Sequence, residues 1–143
     1  MLFRTKAIIF ACMLMLCISI PSPAKAQSAV SDNDLRMLSQ LVWNEARCLP
    51  QDEQALVIWT VLQRVDAGGA YGTTIKEVLN KKGQFTYNRN NPVDDAIYEL
   101  CQQETQKWLD GGDPPTLDPY AKSAPYYFFV GDGKHNYFRE KYK

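Results

Sequence analysis

The segment from Ala55 to Val65, Ala-Leu-Val-Ile-Trp-Thr-Val-Leu-Gln-Arg-Val, constrains this chain more than any other. It is apolar nearly all round, follows Pro50 with Asp52 and Glu53 in the opening turn, and runs into Gly68-Gly69. Proline suits a helix's first turn, early acids suit its positive end and glycine suits its exit. A helix from Pro50 to the glycines is therefore predicted. With no polar face, it must be enclosed on every side, and the remaining elements have to pack around it.

Three more helices supply that cover. Ser31 opens a first helix with a capping signal, and Leu35, Leu38, Leu41, Val42, Ala46 and Leu49 follow at helical spacing. Thr74-Ile-Lys-Glu77 is a capping box for a short third helix that Gly83 ends. Asn91-Pro92 starts a fourth, with Asp94 and Asp95 in its first turn and Gly111-Gly112 at its close. The tail is different in kind. Tyr126-Tyr-Phe-Phe-Val130 reads as a strand, Gly131-Asp-Gly133 as a turn, and Asn136-Tyr-Phe138 as the returning strand. The expectation is a small α+β domain of about four helices with a minor C-terminal antiparallel hairpin.

The first residues read as an address. Arg4 and Lys6, the apolar run Ala7 to Ile20 and the small-x-small Ala24-Lys25-Ala26 have the layout of a secretory signal peptide over residues 1–26. Residues 27–143 then form a single domain, exported to the periplasm or beyond and without a stable membrane anchor after cleavage. Three of the 16 basic residues leave with the leader and none of the 16 acidic ones, so the mature chain is net acidic and has no basic block. Nucleic acid is not an expected partner, and a monomer is expected. Cys48 and Cys101 remain after Cys12 and Cys17 are removed. In an oxidising compartment an even pair reads as a disulfide, with two free thiols as the alternative. One histidine and no clustered ligand spacing leave no expected metal site or cofactor.

Glu45 is the anomaly. It follows Leu41 and Val42 by four and three residues and precedes Leu49 by four, so it lies on the first helix's apolar stripe. A carboxylate on such a stripe suits a general acid, because desolvation favours the protonated form. The other reading is an ion pair with Arg47 or Arg64, or a place at the stripe's edge in water. His135 reads as a turn or packing residue, and Cys48 and Cys101 as spent on each other, so no nucleophile setting is evident. The loop Gln84-Phe-Thr-Tyr-Asn88 offers amides, hydroxyls and aromatics, which suit carbohydrate and are also ordinary for a surface loop.

Five motifs, in order, resemble the spore cortex-lytic type of bacterial cell-wall hydrolase. Glu45-Ala-Arg47 with Pro50 is similar to the family's Glu-Ala-Arg-Gly-Glu-Pro signature, and Gln54 to Val65 to its second helix. Gly83-Gln-Phe-Thr86 resembles its Gly-Gln-Phe-Ser/Thr loop, Ala124 to Phe128 its Ala-x-Tyr-Tyr-Phe, and Gly133 to Phe138 its Gly-x-His-x-Phe. The resemblance implies a lysozyme-like fold and a catalytic Glu45. It also implies lytic transglycosylation of peptidoglycan glycan strands between N-acetylmuramic acid and N-acetylglucosamine. Gln84, Phe85 and Thr86 are then candidate substrate contacts, and Tyr126 or Tyr127 should line the cleft, strand alternation sending the other inward. The chain departs from the family in having Cys48-Leu49 for Gly-Glu. Only Phe129 to Asp132 stand between the Tyr-Tyr-Phe strand and the Gly-x-His turn, which shortens one wall of the groove. Two other readings stand beside this one. One is a hydrolytic muramidase with Asp94 or Asp95 as base, and the other a glycan-binding module that does not cut.

Overall fold

The computed structural model describes residues 30–142, and the expected leader, with Cys12 and Cys17, lies outside the described residues. Four helices, α1 (Asp32–Ala46), α2 (Gln51–Ala67), α3 (Ile75–Asn80) and α4 (Asp95–Leu109), precede strands β1 (Phe128–Gly131) and β2 (Asn136–Arg139). The two strands form one antiparallel hairpin, with Phe128 opposite Arg139 and Gly131 opposite Asn136. The class is α+β. Among the described residues no helix is long and apolar enough to cross a membrane.

α2 is the central helix its composition requires. Every residue from Ala55 to Arg64 is buried, and α1, α3 and α4 all pack against it. Leu38, Leu41 and Val42 of α1, Val78 and Leu79 of α3, and Ile97, Leu100 and Cys101 of α4 complete the core. The buried polar members of α2 have partners. Thr60 Oγ1 donates back to the Leu56 carbonyl at 2.9 Å, a bond that keeps the hydroxyl satisfied within its own helix.

The helix ends follow local chemistry. Ser31 and Asp34 form a reciprocal capping box on α1, and Thr74 caps α3 through Glu77 N. The Glu77 carboxylate turns instead to the Thr73 amide and hydroxyl, which hold it below the usual carboxylate range. α4 begins three residues later than Asn91-Pro92 implies, because Asp94 is its cap and accepts from Ile97 N at 3.1 Å. α1 and α4 are also joined at the surface, where Tyr98 Oη donates to Asp32 Oδ1 at 2.5 Å.

The tail reorganises the expected strand. β1 starts at Phe128 rather than Tyr126, because the tyrosines bond to α2, and only the Tyr127 amide, donating to the Arg139 carbonyl at 3.0 Å, continues the ladder. Tyr126 N donates to Gln63 Oε1 at 2.5 Å, and the Tyr127 carbonyl accepts from Arg64. Tyr126 is fully buried, its ring edge-on to Phe138, so it is a core residue and not a cleft contact.

The expected disulfide does not form: Cys48 and Cys101 are both free. Cys101 sits at the centre of α4's core face with no exposure, whereas Cys48 lies past the end of α1 and faces outward. Burial pushes the Cys101 thiol up to about 12. Below about pH 9 that thiol is neutral folded and unfolded; between there and about pH 12 only the unfolded chain releases the proton, so stability falls across that window. Thiol labelling of the native protein followed by peptide mapping should modify Cys48 readily and Cys101 only after denaturation. Comparable rates at both, or a bridged peptide, would contradict this arrangement.

Candidate active site

The site is assembled where α1 ends. Glu45 is partly buried in the last turn of α1, and its Oε1 accepts from the backbone N–H of Thr86 at 3.3 Å and from Asn44 Nδ2 at 3.4 Å. The Thr86 carbonyl in turn accepts from Asn44 Nδ2 at 2.9 Å, so two consecutive α1 residues stitch down the Gly83–Thr86 loop. One turn earlier Gln40 holds the continuation of that loop: its amide donates to the Arg89 and Asn91 carbonyls and its carbonyl oxygen accepts from Tyr87 Oη. Among the described residues Glu45 has no ion-pair partner, and no donor reaches its Oε2. Arg47 turns back to the Trp43 carbonyl at 3.2 Å, and Arg64 is engaged elsewhere.

Arg64 ties together three segments. Its Nε and Nη2 both donate to the Tyr127 carbonyl, at 2.7 and 2.5 Å, and its Nη1 donates to Gln84 Oε1 at 3.1 Å. The guanidinium lies over Phe85, 4.3 Å from the ring centre, with Phe128 and Tyr71 at 5.3 and 5.4 Å. Desolvation lowers its pKa to about 10, which leaves it charged at neutral pH, and the aromatic faces replace part of the lost hydration. Gln84 completes the join by donating from Nε2 to the Tyr71 carbonyl at 3.3 Å.

Two cavities adjoin at Glu45 and Phe129, the residues they share. The first, about 470 Å³, runs over Arg64 and Gln84 between Tyr71, Phe85, Phe128 and Tyr142. The second, about 500 Å³, lies on the other side and is lined by Arg47, Cys48, Lys134, His135 and Asn136. Glu45 is the one carboxylate among the described residues lining either. Of the expected contacts, Gln84, Phe85 and Thr86 do line the first cavity, Gln84 with its amide already committed to the scaffold. Tyr127 stands one layer back, stacked on Tyr71 at 5.4 Å.

A comparison of the chain with protein-family models, curated proteins and solved structures returned no match. The site therefore has to be read from its own geometry.

That geometry includes a pair absent from the sequence reading. Glu53, in the first turn of α2 and 1% exposed, accepts from His135 Nδ1 at 2.6 Å and from the Asn136 backbone N–H at 2.8 Å. A carboxylate only accepts, so this network assigns the proton to Nδ1 and turns the other ring nitrogen away from Glu53. Tyr120 stacks on the same imidazole at 4.3 Å. His135 is thus held by a buried acid rather than simply packed, and Glu53 is more than a helix-start anion. Nothing local distinguishes Glu53 from Asp52, because the partner is 82 residues away. Arg64 did carry a signal: an arginine on an otherwise apolar helix needs buried partners. Among the described residues no group of three or more His, Cys, Asp or Glu side chains converges in the manner of metal ligands.

Arg64→Ala strands the Tyr127 carbonyl and the Gln84 side chain, at about 1–3 kcal/mol for each buried group left unpaired. Urea unfolding should show a loss of about 3 kcal/mol, with Arg64→Lys recovering less than half, because an ammonium cannot reproduce the planar fork. Full recovery by lysine would mean that charge alone, and not the fork, secures the loop and the strand.

Proposed function

We propose that this chain is an exported, lysozyme-like lytic transglycosylase, acting on peptidoglycan as a monomer without a cofactor. The observation that carries the proposal is Glu45, a carboxylate with one oxygen fixed by the loop and the other without a donor, at the junction of two adjoining cavities. Its Oε2 is the oxygen placed to carry a transferable proton. The aromatic rims of the first cavity suit the C–H faces of pyranose rings, which stack as other apolar surfaces do on aromatics.

The step runs with a single acid. Glu45 protonates the glycosidic oxygen between N-acetylmuramic acid and N-acetylglucosamine, and the bond to the muramic C1 breaks. As a carboxylate it then takes the proton of the muramic 6-hydroxyl, whose oxygen closes onto C1 as a 1,6-anhydro ring. The proton given up in the first half returns in the second, and no water is consumed. Two-carboxylate glycosidases hold their acids about 5–9.5 Å apart across the bond. Here Asp94 caps α4 and Glu53 is buried against His135, so neither supplies a second acid to the cavities. This favours transglycosylation over hydrolysis.

Glu45→Gln should reduce release of fragments from purified peptidoglycan by at least about 100-fold, the scale of a lost general acid, while leaving thermal stability nearly unchanged. Mass spectrometry of wild-type products should find 1,6-anhydromuramic ends. Reducing ends would replace the mechanism by hydrolysis. Glycan binding without cutting by the wild type would leave a binding module.

A further inference from the structure

The two cavities beside Glu45 differ in chemistry. The first is walled by aromatic rings. The second collects hydrogen-bond donors and cations, Arg47 from the end of α1, Lys134 from the hairpin turn and Asn136 from the start of β2, and is also lined by the His135 imidazole. Glu45 is the one acid among its described lining residues. Asp132, in the same turn, points its Oδ1 back at the Lys134 and His135 amides, at 2.8 and 2.9 Å, and its Oδ2 accepts from Tyr137.

Two observations mark this cavity as built for a ligand. The first is the Glu53–His135 pair: a carboxylate 99% enclosed orients an imidazole that is one-third exposed, with Tyr120 stacked on the ring. The second is Asn136. It is 6% exposed and its Nδ2 has no hydrogen-bond partner. A buried donor without a partner costs stability unless a ligand acceptor completes it. Its neighbours Arg47 and Lys134 attract the same kind of acceptor.

We propose that the second cavity binds a carboxylate-bearing substituent of the substrate. On the proposed function, on which this inference rests, that substituent is the peptide stem carried by the lactyl group of N-acetylmuramic acid. The muramoyl residue is thereby recognised on both sides of Glu45, its ring against aromatic side chains and its acidic peptide against donors. The protein prefers glycan strands that still bear stems over strands stripped of them. Arg47, Lys134 and Asn136 are binding residues for the stem's carboxylates, the second ring nitrogen of His135 accepts from a stem amide N–H, and Glu53 is a positioning residue that acts through His135.

The chain has a single histidine, so its ring signals are unambiguous in a nuclear magnetic resonance titration. The probe is N-acetylmuramoyl-L-alanyl-D-glutamate, added to the Glu45→Gln protein, with the same compound amidated at its carboxyls as the neutral comparison. The acid should shift the His135 ring and the Asn136 side-chain amide, and should bind at least tenfold more tightly than the amide. Lys134→Glu, a change at an exposed turn position, should weaken binding of the acid about tenfold or more while the spectrum stays dispersed. Equal binding of acid and amide, or shifts confined to the first cavity, overturns the inference. This readout does not depend on cutting: discrimination between acid and amide with no release of glycan fragments by the wild type would sink the proposed reaction and keep the carboxylate site.

Discussion

A buried guanidinium holds this structure's working parts in place. Arg64 is enclosed on the central helix, where an unpaired charge would be strongly destabilising. It is tolerated because all its directed contacts converge: two donors on one carbonyl, one on a side-chain amide, and three aromatic rings around the plane. Its hydrogen-bonded partners come from the loop after α3 and from the approach to β1. Neither segment has enough apolar surface of its own to be independently stable, and a two-stranded hairpin alone is marginal in water. The cation makes their positions conditional on the helix, and so on the whole core.

The same helix grips the hairpin a second time. Gln63 and Arg64 take the Tyr126-Tyr127 backbone near one end of α2, and Glu53 takes His135 and Asn136 near the other. Eleven residues of helix separate Arg64 from Glu53, about 16 Å at 1.5 Å per residue. The hairpin from Tyr127 to Gly131 covers about 13 Å at its own rise. The lengths are comparable, and the hairpin is fastened to α2 at both ends. Glu45, held from α1, then faces a wall that is pinned on its far side, and both cavities inherit fixed geometry from one helix.

How much of this was legible depended on range. Ser31, Thr74 and Gly68 mark helix ends through contacts within four residues, and they mark them correctly. The enclosed α2 follows from composition alone, and Glu45 stood out because it breaks a periodic stripe. The tail was harder. Tyr126-Tyr-Phe-Phe-Val has a strand's composition, yet its first two residues pair with Gln63 and Arg64, a competition between ladder and helix that no local pattern reveals. The cysteines misled for a related reason: their number suits a bridge, but pairing depends on where the fold points them, and only Cys101 points inward. Glu53 and His135 were invisible as a pair, since each has an ordinary local explanation.

The double fastening has a consequence for how such a groove varies. Asp132 to Lys134, the tip of the hairpin, lies between the two grips and bonds to α2 at neither, its link to them being the hydrogen bonds of Asp132 with His135. At Gly133, whose φ is +90°, an added Cβ would meet nothing within 4 Å. Wall height is therefore separable from wall attachment. A longer tip would extend the groove over more of a polymer without loosening its root, and a short one, as here, leaves a shallow trough with the same acid at its base. Reach along a substrate becomes a property of a few residues at a turn, while the chemistry stays with the helices.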